Sequence, residues 1–203
     1  MTPPDAHARA LQSGLSYADY LAAWRAKLTA PTQALDAEAR RYVFYARYNF
    51  ERSERVHAAF VPSPRLTAAL ALLSAPQLWL VITEDWCGDS AYALPVIADA
   101  AARTPLVTLR ILPRDAHLDV MDGYLTNGGR SIPKLVGFGA DGRELFQWGP
   151  RTADAVRHRE TLVAEGLEKT AVIARLTDWY DADGWTSFDA ELASLVEGSV
   201  AAL

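Results

Sequence analysis

The stretch Gln77-Leu78-Trp79-Leu80-Val81-Ile82-Thr83-Glu84-Asp85-Trp86-Cys87-Gly88-Asp89-Ser90 decides the fold. Gln77 to Thr83 is nearly continuous in apolar residues, the pattern of a strand buried on both faces. The run from Ser90 to Arg103 is alanine-rich and predicts a helix. Cys87, the only cysteine in the chain, then falls in the turn from strand to helix. Unpaired backbone N–H groups and the helix dipole favour a negative charge on sulfur at such a turn. If the chain has chemistry, it is expected to start there.

Downstream, Leu106 to Leu112 reads as a second strand, and strand, helix, strand at this spacing predicts a parallel βαβ unit. Asp115 to Leu125 suggests a short helix ending at Asn127-Gly128-Gly129, which reads as a plain turn rather than an anion-binding nest. Lys134 to Phe138 and Glu144 to Trp148 flank Gly139-Ala140-Asp141-Gly142-Arg143, a hairpin that would add an antiparallel edge and make the sheet mixed. From Thr152 the pattern is helical, with breaks near Gly166 and Asp183-Gly184 and a last helix around Phe188 to Val196. The acidic character after Glu160 predicts a solvated outer layer.

Upstream, Pro3, Pro4 and Gly14 predict a frayed lead-in over residues 1–14. Ser16 with Asp19 resembles a capping box that opens a first helix ending near Ala30-Pro31. Residues 33–60 form a longer helical pattern. Its aromatics, Tyr42, Phe44, Tyr45, Tyr48 and Phe50, are expected to pack it onto the rest of the chain. Its arginines, Arg40, Arg41, Arg47, Arg52 and Arg55, read as a solvated face with local ion pairs. Ser63 as N-cap and Pro64 at the first helical position open a third helix to about Ser74.

Half the residues are hydrophobic and 22% are charged, enough apolar surface to bury a sizeable core. A formal net charge of -5 argues against a nucleic-acid partner, because the phosphate backbone is bound through a basic surface. One cysteine rules out an internal disulfide and points to a reducing compartment. The first residues have no signal-peptide pattern, and no stretch is long and apolar enough for a membrane span. A soluble cytoplasmic protein is therefore expected, with its oligomeric state left open. His7, His57, His117 and His158 have no ligand-like spacing, so no metal is expected, and no G-x-S-x-G elbow makes Ser90 a hydrolase nucleophile.

The order strand, Trp86-Cys87-Gly88-Asp89-Ser90, helix, strand, Ile132-Pro133, hairpin resembles the thioredoxin superfamily, in particular its bacterial thioredoxin-like members. Pro95 stands five residues after Ser90, at the spacing of the helix-kinking proline of thioredoxins, and Ser131-Ile132-Pro133 precedes a strand. The resemblance implies an α/β fold of three layers, α/β/α, around a mixed central sheet, with a core at residues 63–160. Helical extensions at 1–62 and 161–203 would pack with it as one unit. It also implies a cis peptide bond before Pro133, facing Cys87, and an Ile132 backbone that pairs with an extended bound peptide. Two departures matter: Ser90 replaces the second motif cysteine, and the buried aspartate six residues before the first cysteine falls on Val81. With no resolving thiol, a proton acceptor for it has no task, so the two losses are consistent.

What this implies is a monothiol thiol–disulfide oxidoreductase. Cys87 would attack a protein or small-molecule disulfide, and an external thiol such as glutathione or another low-molecular-weight thiol would release the product, with no bound cofactor. The alternative is a non-catalytic module that holds a protein or peptide beside Trp86, Ile132 and Pro133. Cys87 and Ser90 are the expected catalytic positions, and Trp86, Ile132, Pro133 and Arg130 the expected substrate contacts.

Asp85 and Asp89, with Glu84, oppose ionisation of the thiol. A carboxylate about 7 Å away costs roughly 0.6 kcal/mol in water and about 2.4 at an effective dielectric near 20, comparable to what the helix end returns. Arg130, ahead of Lys134, is the expected source of compensating positive charge. Ser90 reads as the helix N-cap first and as a hydrogen-bond donor to a thiolate second.

Overall fold

Strand β1 (Gln77–Thr83) is buried along its whole length, so it must be covered on both faces and both edges. A computed structural model, which describes residues 5–201, shows how. β1 pairs in parallel with β2 (Val107–Pro113) on one side and antiparallel with β3 (Lys134–Gly139) on the other. β3 in turn pairs antiparallel with the edge strand β4 (Glu144–Trp148), giving the order β2-β1-β3-β4. The sheet is mixed and the fold is α/β with helical layers on both faces.

Side chains alternate along β1. Trp79 and Val81 point into one apolar cluster, together with residues of the helices α2 (Tyr17–Thr29), α3 (Ala37–Ala59), α4 (Pro64–Ala71) and α5 (Gly88–Ala102). Leu78, Leu80 and Ile82 point into a second cluster on the opposite face, which holds Cys87 and Ile132 and is closed by α1 (Ala6–Ser13) and α6 (Leu118–Met121). The chain finishes in α7 (Ala153–Ala164), α8 (Lys169–Asp181) and α9 (Ser187–Ala201). Helix α9 joins the first cluster through Phe188, Leu192, Ala193 and Val196.

Three expectations are corrected. Of the lead-in expected to fray, residues 1–4 lie outside the described residues, but Ala6 to Ser13 form α1. Asp5 caps it by accepting from the Ala8 N–H, and Ala6 and Ala10 are small enough to lie buried against the sheet. The bridge between Leu15 and Ile111 fastens the segment to β2.

Helix α3 buries a face of modest residues, Val43, Ala46, Asn49, Ser53 and Val56, against the rest of the chain. These follow helical spacing, and their small volume lets α3 approach the alanine-rich α5 closely. The aromatics expected to pack it divide: Phe44, Tyr45 and Tyr48 face outward. Among the described residues the arginines of α3 form no ion pair along their own helix. Arg55 pairs with Asp181 of α8 at 2.8 Å, and Glu54 pairs with Arg25 of α2 at 2.9 Å.

Candidate functional site

Helix α5 begins at Gly88, with Cys87 in the N-cap position, so the sulfur sits where the unpaired N–H groups of the first turn converge. Cys87 is 8% exposed. The Ile132–Pro133 bond is cis and brings the Ile132 carbonyl over the thiol, whose S–H donates to it at 3.3 Å. Cys87, Ile132 and Pro133 are thus brought together from two separate loops. Trp86 lies beside them, half-buried, with the Tyr42 ring 5.3 Å away and the Arg114 guanidinium 4.9 Å from its centroid. Arg114 also donates to the Arg130 carbonyl at 3.1 Å and so joins the two loops.

Ser90 is not the N-cap. It lies buried in the first turn of α5, where the Thr83 hydroxyl donates to its Oγ at 2.5 Å. That contact uses a lone pair of Ser90 and leaves its proton available for the sulfur. The Ser90 side chain and its backbone N–H both favour the Cys87 thiolate. They do not win. Burial pushes the thiol up from its ordinary 9.0 to about 11, and the Asp89 charge adds to that rise.

The carboxylates that threatened the site are each engaged. Asp85 accepts from Lys27 of α2 at 2.7 and 2.8 Å, and its carbonyl accepts from Asn49 of α3 at 3.2 Å. Glu84 accepts from the Asp115 N–H at 2.8 Å. Asp89 accepts from Arg151 at 2.6 and 2.9 Å and from the Tyr180 hydroxyl at 3.0 Å. Burial raises the Asp89 carboxyl while Arg151 holds it down.

The compensating cation is therefore not the one the sequence suggested. Arg130 lies on the cleft wall, but its guanidinium is committed to Asp122 at 2.6 and 2.8 Å. Lys134 turns inward, donating to Thr126 Oγ1 at 2.9 Å and to the Gly149 carbonyl at 3.1 Å, and burial lowers its pKa. Arg151 is the cation whose field reaches Cys87 and favours its thiolate. Lys27, Arg151 and Tyr180 were missed from sequence. The only local signal was the position of Arg151 directly after Gly149-Pro150, a second cis bond next to the loop of the first.

Cys87 opens into a cleft of about 940 Å³ with α3 on one side and α8 on the other. Among the described residues, no group of three or more His, Cys, Asp or Glu is arranged to hold a metal ion. No helix among them is long and apolar enough to cross a membrane.

A family profile described as Thioredoxin matches residues 37–162, well over half the chain, from α3 through most of α7. A search of curated proteins found no match. Two solved structures share the fold. One is a protein of unknown function from Pseudomonas aeruginosa, 16% identical, covering 94% of this chain and 96% of its own, with a TM-score of 0.58. The other is an HIV epitope scaffold, 16% identical, covering 94% of this chain and 97% of its own, with a TM-score of 0.61.

Proposed function

The chain belongs to the thioredoxin family, and from that premise we propose that it is a monothiol thiol–disulfide oxidoreductase whose one working sulfur is Cys87. The observation that carries this reading is the seat of the only cysteine: at the N-cap of α5, under the carbonyl of a cis-proline loop, on the floor of a large cleft.

The reaction is a pair of exchanges. As a disulfide R–S–S–R′ enters, the Cys87 sulfur attacks one of its sulfurs, the S–S bond breaks, and Cys87–S–S–R forms. The leaving thiolate R′–S⁻ takes the proton that Cys87 gives up. A second thiol, R″–SH, then attacks the R sulfur as its thiolate, restores Cys87 as thiolate, and leaves as R–S–S–R″. Cys87 recovers the proton, and the external thiol supplies the reducing equivalents.

Arg151 favours the anionic sulfur at each stage, and the Ser90 hydroxyl, held by Thr83, is placed to donate to it. Ser90 cannot resolve the mixed disulfide, so the external thiol is obligatory. With reduced glutathione as R″–SH and a glutathionylated peptide as substrate, the wild-type protein is expected to turn over and Cys87→Ser to be inert. Equal turnover by the variant sinks the proposal.

The second reading, a non-catalytic module that binds a protein or peptide in the same cleft, is favoured by one observation. A thiol at about 11 is only about one part in ten thousand ionised at neutral pH. Binding without adduct formation at Cys87 would support it.

A further inference from the structure

The outward aromatics of α3 have no structural task in the described chain. Phe44, Tyr45 and Tyr48 are 54%, 44% and 46% exposed, while α3 packs through its small residues instead. All three line the cleft above Cys87. Large rings left uncovered on a cleft wall mark a surface that something else covers.

The cleft is richer in cationic side chains than the protein as a whole. Its lining carries Arg52, Arg114, Arg130, Arg151 and Lys169 against the single carboxylate of Asp89, in a chain of net charge -5. Each of the four arginines already faces a carboxylate: Arg52 stands 4.0 Å from Asp181, Arg114 2.7 Å from Asp115, Arg130 2.6 Å from Asp122 and Arg151 2.6 Å from Asp89. Lys169, at the start of α8, has no ion-pair partner among the described residues. Lys169 is thus the lining cation left to meet a negatively charged occupant. The exposed rings of α3 suit an occupant that carries a flat ring.

Access to the sulfur limits its shape. Cys87 is nearly buried beneath the Ile132 carbonyl, with α3 and α8 on either side of the cleft, so a slender arm reaches it more readily than a bulky one. The volume of about 940 Å³ suits a large cofactor-sized molecule.

We propose that the cleft takes a nucleotide-bearing thiol or its disulfide. The base lies on the Phe44, Tyr45 and Tyr48 wall, the phosphates meet Lys169 and the neighbouring arginines, and a slender thiol arm runs down to Cys87. Stacking is tolerant of which base is present, because every base has a flat face, and guanidinium groups suit phosphate oxygens. The thiol end of this inference rests on the exchange reaction proposed above. Recognition of ring and phosphate does not.

The test separates the two by using Cys87→Ser protein, with Cys87→Ala as a second variant, so that no exchange can occur. Calorimetric titration with coenzyme A and with adenosine bisphosphate, which has ring and phosphates but no thiol, is expected to give saturable binding below about 1 mM. Glutathione, which has carboxylates and no ring, is expected to give none in that range. Tyr45→Ala should weaken coenzyme A by about fivefold or more, and Lys169→Ala should weaken it and flatten its salt dependence. The inference is overturned if coenzyme A does not bind, if glutathione binds equally well, or if Tyr45→Ala leaves coenzyme A binding unchanged. Loss of turnover with this binding intact would remove only the exchange reaction, and turnover without this binding would remove only the nucleotide.

Discussion

Asp89 and Arg151 form a two-pronged ion pair at 2.6 and 2.9 Å across 62 residues of chain, directly beside Cys87. The pair sets the thiol between opposed influences, since Asp89 raises its pKa and Arg151 lowers it. Asp89→Asn removes the opposing charge and frees the guanidinium, so both changes favour the thiolate. Iodoacetamide should alkylate Cys87 faster in Asp89→Asn than in the wild type at neutral pH, and slower in Arg151→Met. Both variants should lose roughly 1–3 kcal/mol of stability in urea, because each strands a largely buried charged partner.

Stability at alkaline pH reports the same thiol. In the unfolded chain Cys87 releases its proton near 9.0 and in the folded protein near 11. Between those values the unfolded state binds fewer protons than the native state, so stability falls as pH rises. Below about 9 the contribution is complete, and by about 11 roughly 2–3 kcal/mol of it is gone. Tyrosines also titrate in this range, so the measurement is the difference between wild type and Cys87→Ser. That difference should shrink from pH 8.5 to pH 11 by about this amount.

The Thr83–Ser90 contact yields a third expectation. Ser90→Ala removes a donor that favours the thiolate and strands the buried Thr83 hydroxyl. It should lower stability by about 1–3 kcal/mol and slow alkylation of Cys87 at fixed pH. Ser90→Cys would place a second sulfur in the first turn of α5, three residues from Cys87. It should make a resolving thiol available, so that peptide disulfide reduction no longer depends on the external thiol for release.

Behind the cis-proline loop, Gly149 has a φ of +111°, and a Cβ there would lie 2.1 Å from the Pro133 carbonyl oxygen. Relief of that contact moves the Pro133 backbone, one residue from the Ile132 carbonyl that accepts from Cys87. Gly149→Ala is expected to cost at least about 2 kcal/mol and to change the alkylation rate of a thiol it does not touch.

The core of the fold was legible because β1, the βαβ unit and the hairpin announce themselves through local patterns. A short, nearly continuous apolar run bounded by polar residues reads as a fully covered strand, and Ile132-Pro133 follows the motif at a recognisable distance. Helix α1 was obscured by Pro3, Pro4 and Gly14, since two small alanines give little signal of burial. On α3 the spacing of Val43, Ala46, Asn49, Ser53 and Val56 was present in the sequence. The volume of the neighbouring aromatics drew attention to the wrong face.

At the site, the cysteine, the tryptophan and the proline loop could be placed from sequence. Their electrostatic partners could not, because charge pairing at a distance has no pattern along the chain. Asp85 and Asp89 find their partners only when α2 brings Lys27, the loop before α7 brings Arg151 and α8 brings Tyr180 to them.

The most direct measurement is the intact mass of the protein during exchange. Wild-type protein mixed with a small disulfide should gain the mass of one half of it, confined to Cys87. Addition of reduced thiol should remove that adduct at a rate no slower than steady-state turnover. An adduct that never forms, or one that forms and persists while turnover continues, would contradict the role assigned to Cys87.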